Sequence, residues 1–361
     1  MRIVIISTPI GFLGSGLGGG VELTLNSLVS GISEKGHNAV VIAPKGSYLN
    51  IENEAVELVS VEGIEQQSWQ HQDYFAPVTT NKGSIINNMV EKAISYSSDC
   101  DAIVNLSYDY LPILETLNAE IPIAHLISMG NESFAISNII EKVYKKYPNN
   151  FAFHSQVQAS DYPFILNPNI VGNGFQLSNY EFQSCKNGPL GWVGRVAPEK
   201  GLEDAVFVAD KLQEKLNIWG IIQDRDYAIS IEKAFPKGLI SWNGFLKTFD
   251  LQKALGRCRA LINTPKWNEA YGNVVVESMA CGVPVVSYRL GGPSEIIQHG
   301  ETGYLVDPND KKGLIECLKI INSIDRKKCR DWVEKNASSS RFAGKVITWL
   351  QNVIKDSKQN A

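Results

Sequence analysis

The sequence predicts an α/β protein made of two β/α halves. Short apolar runs at residues 2–7, 39–43 and 102–106 alternate with amphipathic stretches, and the same alternation restarts at residues 190–195. Gly172-Asn173-Gly174 stands between the two series as a joint. The 361 residues also exceed what one hydrophobic core usually organises.

Composition narrows the class. With 44% hydrophobic and 20% charged residues the chain reads as an ordinary soluble globular protein. A net charge of −4 speaks against a polyanionic partner such as nucleic acid. The halves differ: residues 1–172 hold 8 Lys and Arg against 17 Asp and Glu, and residues 173–361 hold 26 against 21. A phosphate ligand therefore suits the second half, and the first is a poor match for an anionic membrane. Six scattered cysteines without a C-x-x-C pair suggest neither zinc nor a redox couple, and fit reduced thiols in a cytoplasm. No apolar run approaches the ~20 residues needed to span a bilayer.

Residues 2–7 read as a buried strand, followed by a glycine-rich loop ending in Gly18-Gly19-Gly20 and by an amphipathic helix from Val21. Residues 39–43 form the next strand. Residues 50–85 are polar and irregular and read as an insertion or long loop. Strands follow at 102–106, at 121–126 (ending near His125), at 150–154 and at 169–171. In the second half, strands are expected at 190–195, 218–222, 240–242 and 260–264. Residues 272–280 suit a helix start, and residues 282–286 a turn into a buried strand. A last helix carries an apolar stripe from Phe342 to Ile354. Asp99-Cys100-Asp101 precedes its strand rather than ending it, so it reads as a turn and not as a metal site.

The chemistry concentrates between residues 261 and 308. Glu269 and Glu277 bracket seven residues, the second lying in the helix that opens near Gly272. A helix start offers unpaired N–H donors and partial positive charge to an anion. A carboxylate accepts hydrogen bonds only, so the two glutamates suit a polyhydroxylated ligand. Arg195 and Lys200 share one strand-to-helix loop and suit a diphosphate, the arginine as a fork and the lysine as a point charge. Gly14-x-Gly16-x-x-Gly19 has the form of a dinucleotide fingerprint. It does not directly follow its strand, however, and the second strand ends at Ala43-Pro44-Lys45 without a carboxylate. The glycine loop reads instead as one that lets backbone approach a phosphate or sugar. His125 closes a strand at the ligand edge of such a sheet, where a lone histidine is more often a bonded core residue than a functional one.

Together these residues carry a family resemblance. Gly19-Gly20-Val21-Glu22, His125, Asn173-Gly174, Gly194-Arg195-x4-Lys200-Gly201, Glu269-x7-Glu277 and Gly291-Gly292 stand in the order seen in glycosyltransferase family 4. The resemblance implies the GT-B fold, with two Rossmann-like domains facing across a cleft. Residues 1–172 would form the acceptor-side domain, joined by a crossover helix at about 342–361, and residues 173–341 the sugar-nucleotide domain. It implies a retaining hexosyltransferase that takes a sugar nucleotide, UDP-glucose by expectation, and needs no metal or other cofactor. Arg195 and Lys200 would bind the diphosphate and Glu277 the ribose. Glu269 and His125 would meet the donor sugar, and Gly272, Asn273 and Val274 would offer backbone N–H groups. Phe245 and Leu246 would lie along the base, with Gly19 and Gly20 under the phosphates. The glycine loop is also similar to that of cyanobacterial enzymes that place glucose on a reduced pterin, and of relatives tied to exopolysaccharide synthesis.

Two other classes stay open at this point: a sugar-nucleotide-binding protein of little activity, and a nicotinamide-dependent oxidoreductase. For the acceptor, residues 65–75 mix aromatics with amides. Trp69 or Tyr74 is expected to stack on a neutral pterin or saccharide.

Overall fold

A computed structural model describes every residue except Asn50, Glu52, Gln70, His71, Thr80, Asn81, Pro236, Lys237 and Ala361. The chain divides into two compact units, Met1–Phe175 with Ser339–Ala361, and Gln176–Ser338.

The first unit runs β1 (Arg2–Ile6), α1 (Gly20–Glu34), β2 (Asn38–Pro44), β3 (Val56–Val61), α2 (Ile85–Ile94), β4 (Ala102–Asn105), α3 (Tyr110–Glu115), β5 (Ile123–Ile127), α4 (Phe134–Lys146), β6 (Phe151–Phe153), α5 (Gln156–Ser160) and β7 (Asn169–Ile170). Its seven strands are all parallel in the order β3-β2-β1-β4-β5-β6-β7. Successive side chains of a strand point to opposite faces, so β1 feeds two cores. Ile3 and Ile5 pack with α1 residues Leu25, Leu28 and Val29, whereas Val4 and Ile6 pack with Ile86 and Met89 of α2. Each such fully buried side chain contributes roughly 1.5–3 kcal/mol.

The second unit runs β8 (Leu190–Val193), α6 (Leu202–Leu212), β9 (Leu216–Trp219), α7 (Arg225–Ala234), β10 (Ile240–Trp242), α8 (Thr248–Gly256), β11 (Ala260–Asn263), α9 (Asn273–Ala280), β12 (Val285–Tyr288), α10 (Pro293–Ile296), β13 (Gly303–Val306), α11 (Lys311–Ile320) and α12 (Arg326–Asn336). Its six parallel strands take the order β10-β9-β8-β11-β12-β13. In both sheets the order reverses beside the unit's first strand. In open parallel sheets ligands bind beyond the carboxyl ends at such a point. The α/β class expected from the sequence is therefore observed in both units.

The last helix, α13 (Ser339–Asn360), belongs to the first unit. Phe342, Val346, Trp349, Leu350 and Val353 join the core on the α1 side of the sheet. The contact is close because small residues face it: a Cβ on Gly31 would lie 2.4 Å from the Ser339 carbonyl oxygen, and one on Gly174 would lie 2.5 Å from Ser27 Oγ and 2.8 Å from Phe342 Cβ. The Ser27 and Ser339 hydroxyls share a hydrogen bond of 2.8 Å. Among the described residues no helix is long and apolar enough to cross a membrane.

Three boundaries differ from the sequence reading. The stretch read as an irregular insertion contains β3, a half-exposed edge strand whose Glu57 and Ser60 face solvent and mask its pattern. β9 lies two residues earlier than expected and stops at Trp219. Gly220 then takes φ +146°, and a Cβ there would meet the Gly194 carbonyl oxygen at 1.8 Å. The unit boundary falls after Phe175 and after Ser338, rather than after residues 172 and 341.

Leu350→Ala should lower the stability of the first unit by about 2–5 kcal/mol. Hydrogen exchange in denaturant should show β1 amides losing protection while β8 amides keep theirs. Equal loss in both sheets would show that α13 is not specific to the first unit.

Candidate functional site

In the second unit the residues singled out from the sequence gather at the carboxyl ends of neighbouring strands. Arg195 follows β8, Phe245 and Leu246 follow β10, and Glu269 lies beyond β11. β8 and β11 are the pair that flanks the order reversal. The loop after β8 makes a single 3-10 turn (Pro198–Lys200) and ends at Gly201 in the left-handed region, φ +63°. A Cβ on Gly201 would meet the Thr264 carbonyl oxygen at 2.1 Å, so only glycine lets the two loops touch. The Thr264 hydroxyl donates to the Gly201 carbonyl at 2.8 Å, and the Lys266 N–H donates to the Glu199 carbonyl at 2.8 Å.

These stitches bring Lys200 onto Glu269. The ammonium donates to the carboxylate, with the side chains only 19% and 9% exposed. Arg195 is a third exposed, pairs with Glu199 at 3.2 Å and donates to the Gln223 side-chain carbonyl. Glu269 is fixed from behind by the Gly291-Gly292 turn. The Gly292 N–H donates to the Glu269 carbonyl at 2.7 Å, and a Cβ on Gly291 would lie 2.4 Å from the Glu269 nitrogen. A groove of about 540 Å³ runs between the 197–199 and 222–226 loops, beside Arg195.

Gly272 caps α9 in the left-handed region, φ +101°. Asn273 and Val274 form the first turn, where N–H groups lack carbonyl partners within the helix. Glu277 lies one turn deeper and is buried, accepting a 3.1 Å hydrogen bond from the Tyr180 hydroxyl. Burial raises its carboxyl to about 7, partly opposed by the Tyr180 bond. Arg330 braces both partners by donating to the carbonyls of Tyr180 (2.7 Å) and Ala280 (2.8 Å), the latter at the negative end of α9. Phe245 is 53% exposed, and the preceding Gly244 carbonyl accepts from the Gly220 N–H at 2.9 Å. The structure thus brings together Arg195, Lys200, Glu269, Gly272, Asn273, Val274 and Glu277 in one unit, with Phe245 and Leu246 at the same sheet edge.

Gly19, Gly20, His125, Trp69 and Tyr74 all lie in the first unit. Gly19 and Gly20 are exposed at the start of α1. Their loop is pinned by the buried Glu22 carboxylate, which accepts from the N–H groups of Gly14 (2.7 Å) and Gly18 (2.9 Å).

The expectation that His125 meets a sugar is corrected. The residue is fully buried in β5 and stacked on Phe151 at 5.1 Å, and both ring nitrogens are engaged. Asn105 Nδ2 donates to Nδ1 at 3.1 Å, which puts the proton on Nε2, 2.7 Å from the Thr116 hydroxyl. Burial lowers its pKa to about 3, so the ring is neutral. Trp69 is likewise corrected as an acceptor contact: it is 7% exposed in the core, and its Nε1–H donates to Asp109 at 2.9 Å. Tyr74 is exposed, with Phe75 and Phe134 both edge-on to it and tilted against each other. Gln70 and His71 of the same stretch lie outside the described residues.

Residues 189–339 match the family profile described as Glycosyl transferases group 1. The match lies almost wholly within the second unit. The matched residues include Arg195, Lys200, Glu269 and Glu277. Among curated relatives the chain is 35% identical over 132 residues to sulfoquinovosyl transferase SQD2 of Arabidopsis thaliana, covering 36% of this chain and 25% of that protein. It is 33% identical over 116 residues to sucrose synthase of Acidithiobacillus caldus, covering 31% of this chain and 15% of that protein. The chain thus spans a quarter or less of the length of these two relatives. Solved glycosyltransferases share the fold over the whole chain. AviGT4, involved in avilamycin A biosynthesis, superposes with a TM-score of 0.76 at 14% identity, covering 98% of both chains. HepE of Anabaena, solved with UDP and glucose, gives 0.74 at 16% identity, covering 98% of this chain and 100% of that one. The two parallel-sheet units therefore resemble GT-B glycosyltransferase structures.

The raised Glu277 carboxyl gives a signed expectation. Its ordinary value is 4.5 and its folded value about 7, so between these pH values the folded chain binds more protons than the unfolded chain. Stability owed to Glu277 is fully present below pH 4.5 and is lost as pH rises through about 7. Glu277→Gln should remove that slope and gain up to about 3 kcal/mol over the wild type between pH 5 and pH 8. Urea unfolding at the two pH values measures it; parallel pH profiles would show that the carboxyl is not held protonated.

Proposed function

We propose that the chain is a retaining, metal-independent hexosyltransferase that moves glucose from UDP-glucose to a neutral small-molecule or saccharide acceptor. The carrying observation is the Lys200–Glu269 ion pair with Arg195 beside it, at the order reversal of the second sheet. Breaking a glycosyl–phosphate bond builds charge on the diphosphate, and pre-placed cations act on charge that grows in the transition state. Arg195 would fork across the phosphates and Lys200 would meet the leaving oxygen. The start of α9 adds N–H donors. Glu269 would accept from hydroxyls of the donor sugar and Glu277 from those of the ribose. Phe245 offers an exposed ring for the base.

The choice of a uridine nucleotide and glucose draws on HepE, solved with UDP and glucose, and on relatives named as sucrose synthase and glycogen synthase. A retaining reaction of this kind needs no pair of carboxylates flanking the sugar, since the leaving phosphate can take the acceptor's proton. Within the first unit, Tyr74 with Phe75 and Phe134 gives an aromatic surface suited to a sugar or pterin face. The excess of acidic residues in 1–172 favours a neutral acceptor over an anionic lipid.

Lys200→Ala should lower kcat on the order of 10²-fold, with a smaller change in KM. Unchanged turnover would refute the leaving-group role. Activity of the wild type should survive excess EDTA; complete loss that Mg²⁺ or Mn²⁺ restores would overturn the metal-independent reading.

A further inference from the structure

Lys200 has two partners, and only one is a carboxylate. Its Nζ lies 5.0 Å from the centre of the Trp267 ring, two residues before Glu269 on the same loop. The Lys266 N–H bond to the Glu199 carbonyl and the Thr264 hydroxyl bond to the Gly201 carbonyl flank this contact and hold ring and ammonium in register. The indole Nε1–H is buried and donates to nothing among the described residues. Leucine or phenylalanine would carry no such orphan donor, which costs stability where it is buried. What tryptophan offers over both is the strongest aromatic face for a cation. The contact with the ammonium thus supplies a reason for tryptophan at this position.

We propose that Trp267 is a positioning residue for Lys200, holding the ammonium by its π face; this rests on the leaving-group role given to Lys200 above. A ring quadrupole attracts a cation without cancelling its charge, whereas Glu269 neutralises it. When the Glu269 carboxylate turns to the hydroxyls of a donor sugar, Lys200 loses its anionic partner. The indole face then keeps the ammonium in place with its full charge directed to the phosphate. Recognition of the sugar and stabilisation of the leaving group are thereby coupled through one aromatic ring.

The test is a set of variants assayed for transfer from UDP-glucose. Trp267→Leu should lower kcat roughly 3- to 30-fold, the span of a cation–π contact, with KM changed less. Trp267→Phe, which keeps a ring, should recover most of the loss. In a Lys200→Ala background, Trp267→Leu should cost nothing further. The proposal is overturned if Trp267→Leu matches the wild type, if leucine and phenylalanine fall alike, or if the loss persists undiminished without Lys200. Should the wild type turn over no nucleotide sugar, the functional reading falls. The positioning claim is then decided by ¹³C NMR of Cε-labelled lysine: the ring current should shift the Lys200 resonance upfield, and Trp267→Leu should abolish the shift. An unshifted Lys200 overturns the proposal.

Discussion

The ion pair between Lys200 and Glu269 ties together the two loops that leave β8 and β11. Taking both charges largely out of water costs several kcal/mol per ion before their attraction repays it. A fold meets that cost only where the partners are held by something other than themselves. Here the holding is done by backbone approaching backbone: Gly201 against Thr264, Gly291 against Glu269, Gly220 against Gly194. Each approach leaves no room for a Cβ. The glycines are thus the condition for the charges, and a pair so held can be opened by a ligand without losing its loops.

Glu277 obeys a different constraint. It accepts a hydrogen bond from the Tyr180 hydroxyl, and burial raises its carboxyl to about 7. A ligand that presents two hydroxyls replaces water for this carboxyl and favours its ionised form. One glutamate is therefore held as half of an ion pair and the other as a buried carboxyl that loses its proton less readily. That division separates the two roles proposed for them.

Much of this was legible in the sequence. The strand runs and the glycines at 201, 272 and 291–292 mark where the chain must turn or approach itself, and the E-x7-E spacing placed one carboxylate in a loop and one in a helix. What was not legible depends on three-dimensional neighbours. β3 is a short edge strand with no fully buried residue, and its exposed Glu57 and Ser60 interrupt the apolar run, so it reads as a loop. His125 looks like a ligand residue because it ends a strand at the right edge; only the flanking Asn105, Thr116 and Phe151 show it to be enclosed. Trp69 reads as a stacking platform until Asp109, forty residues away, takes its N–H. Tyr180 and Trp267 carry no local pattern at all, since their importance lies in touching Glu277 and Lys200.

The placement of α13 has a consequence for synthesis. The first unit is interrupted: its core needs Phe342, Val346 and Leu350, yet residues 176–338 are made before them. At about 5–20 residues per second, the sheet of the first unit waits on the order of ten to thirty seconds for its last helix. During that time the surfaces of Leu25, Val29 and Ile32 that α13 will cover stand open to water or to a chaperone. The second unit, continuous in the chain, has no such delay. The half of the protein that carries the ion pair is thus free to mature first, and the half that is translated first finishes last.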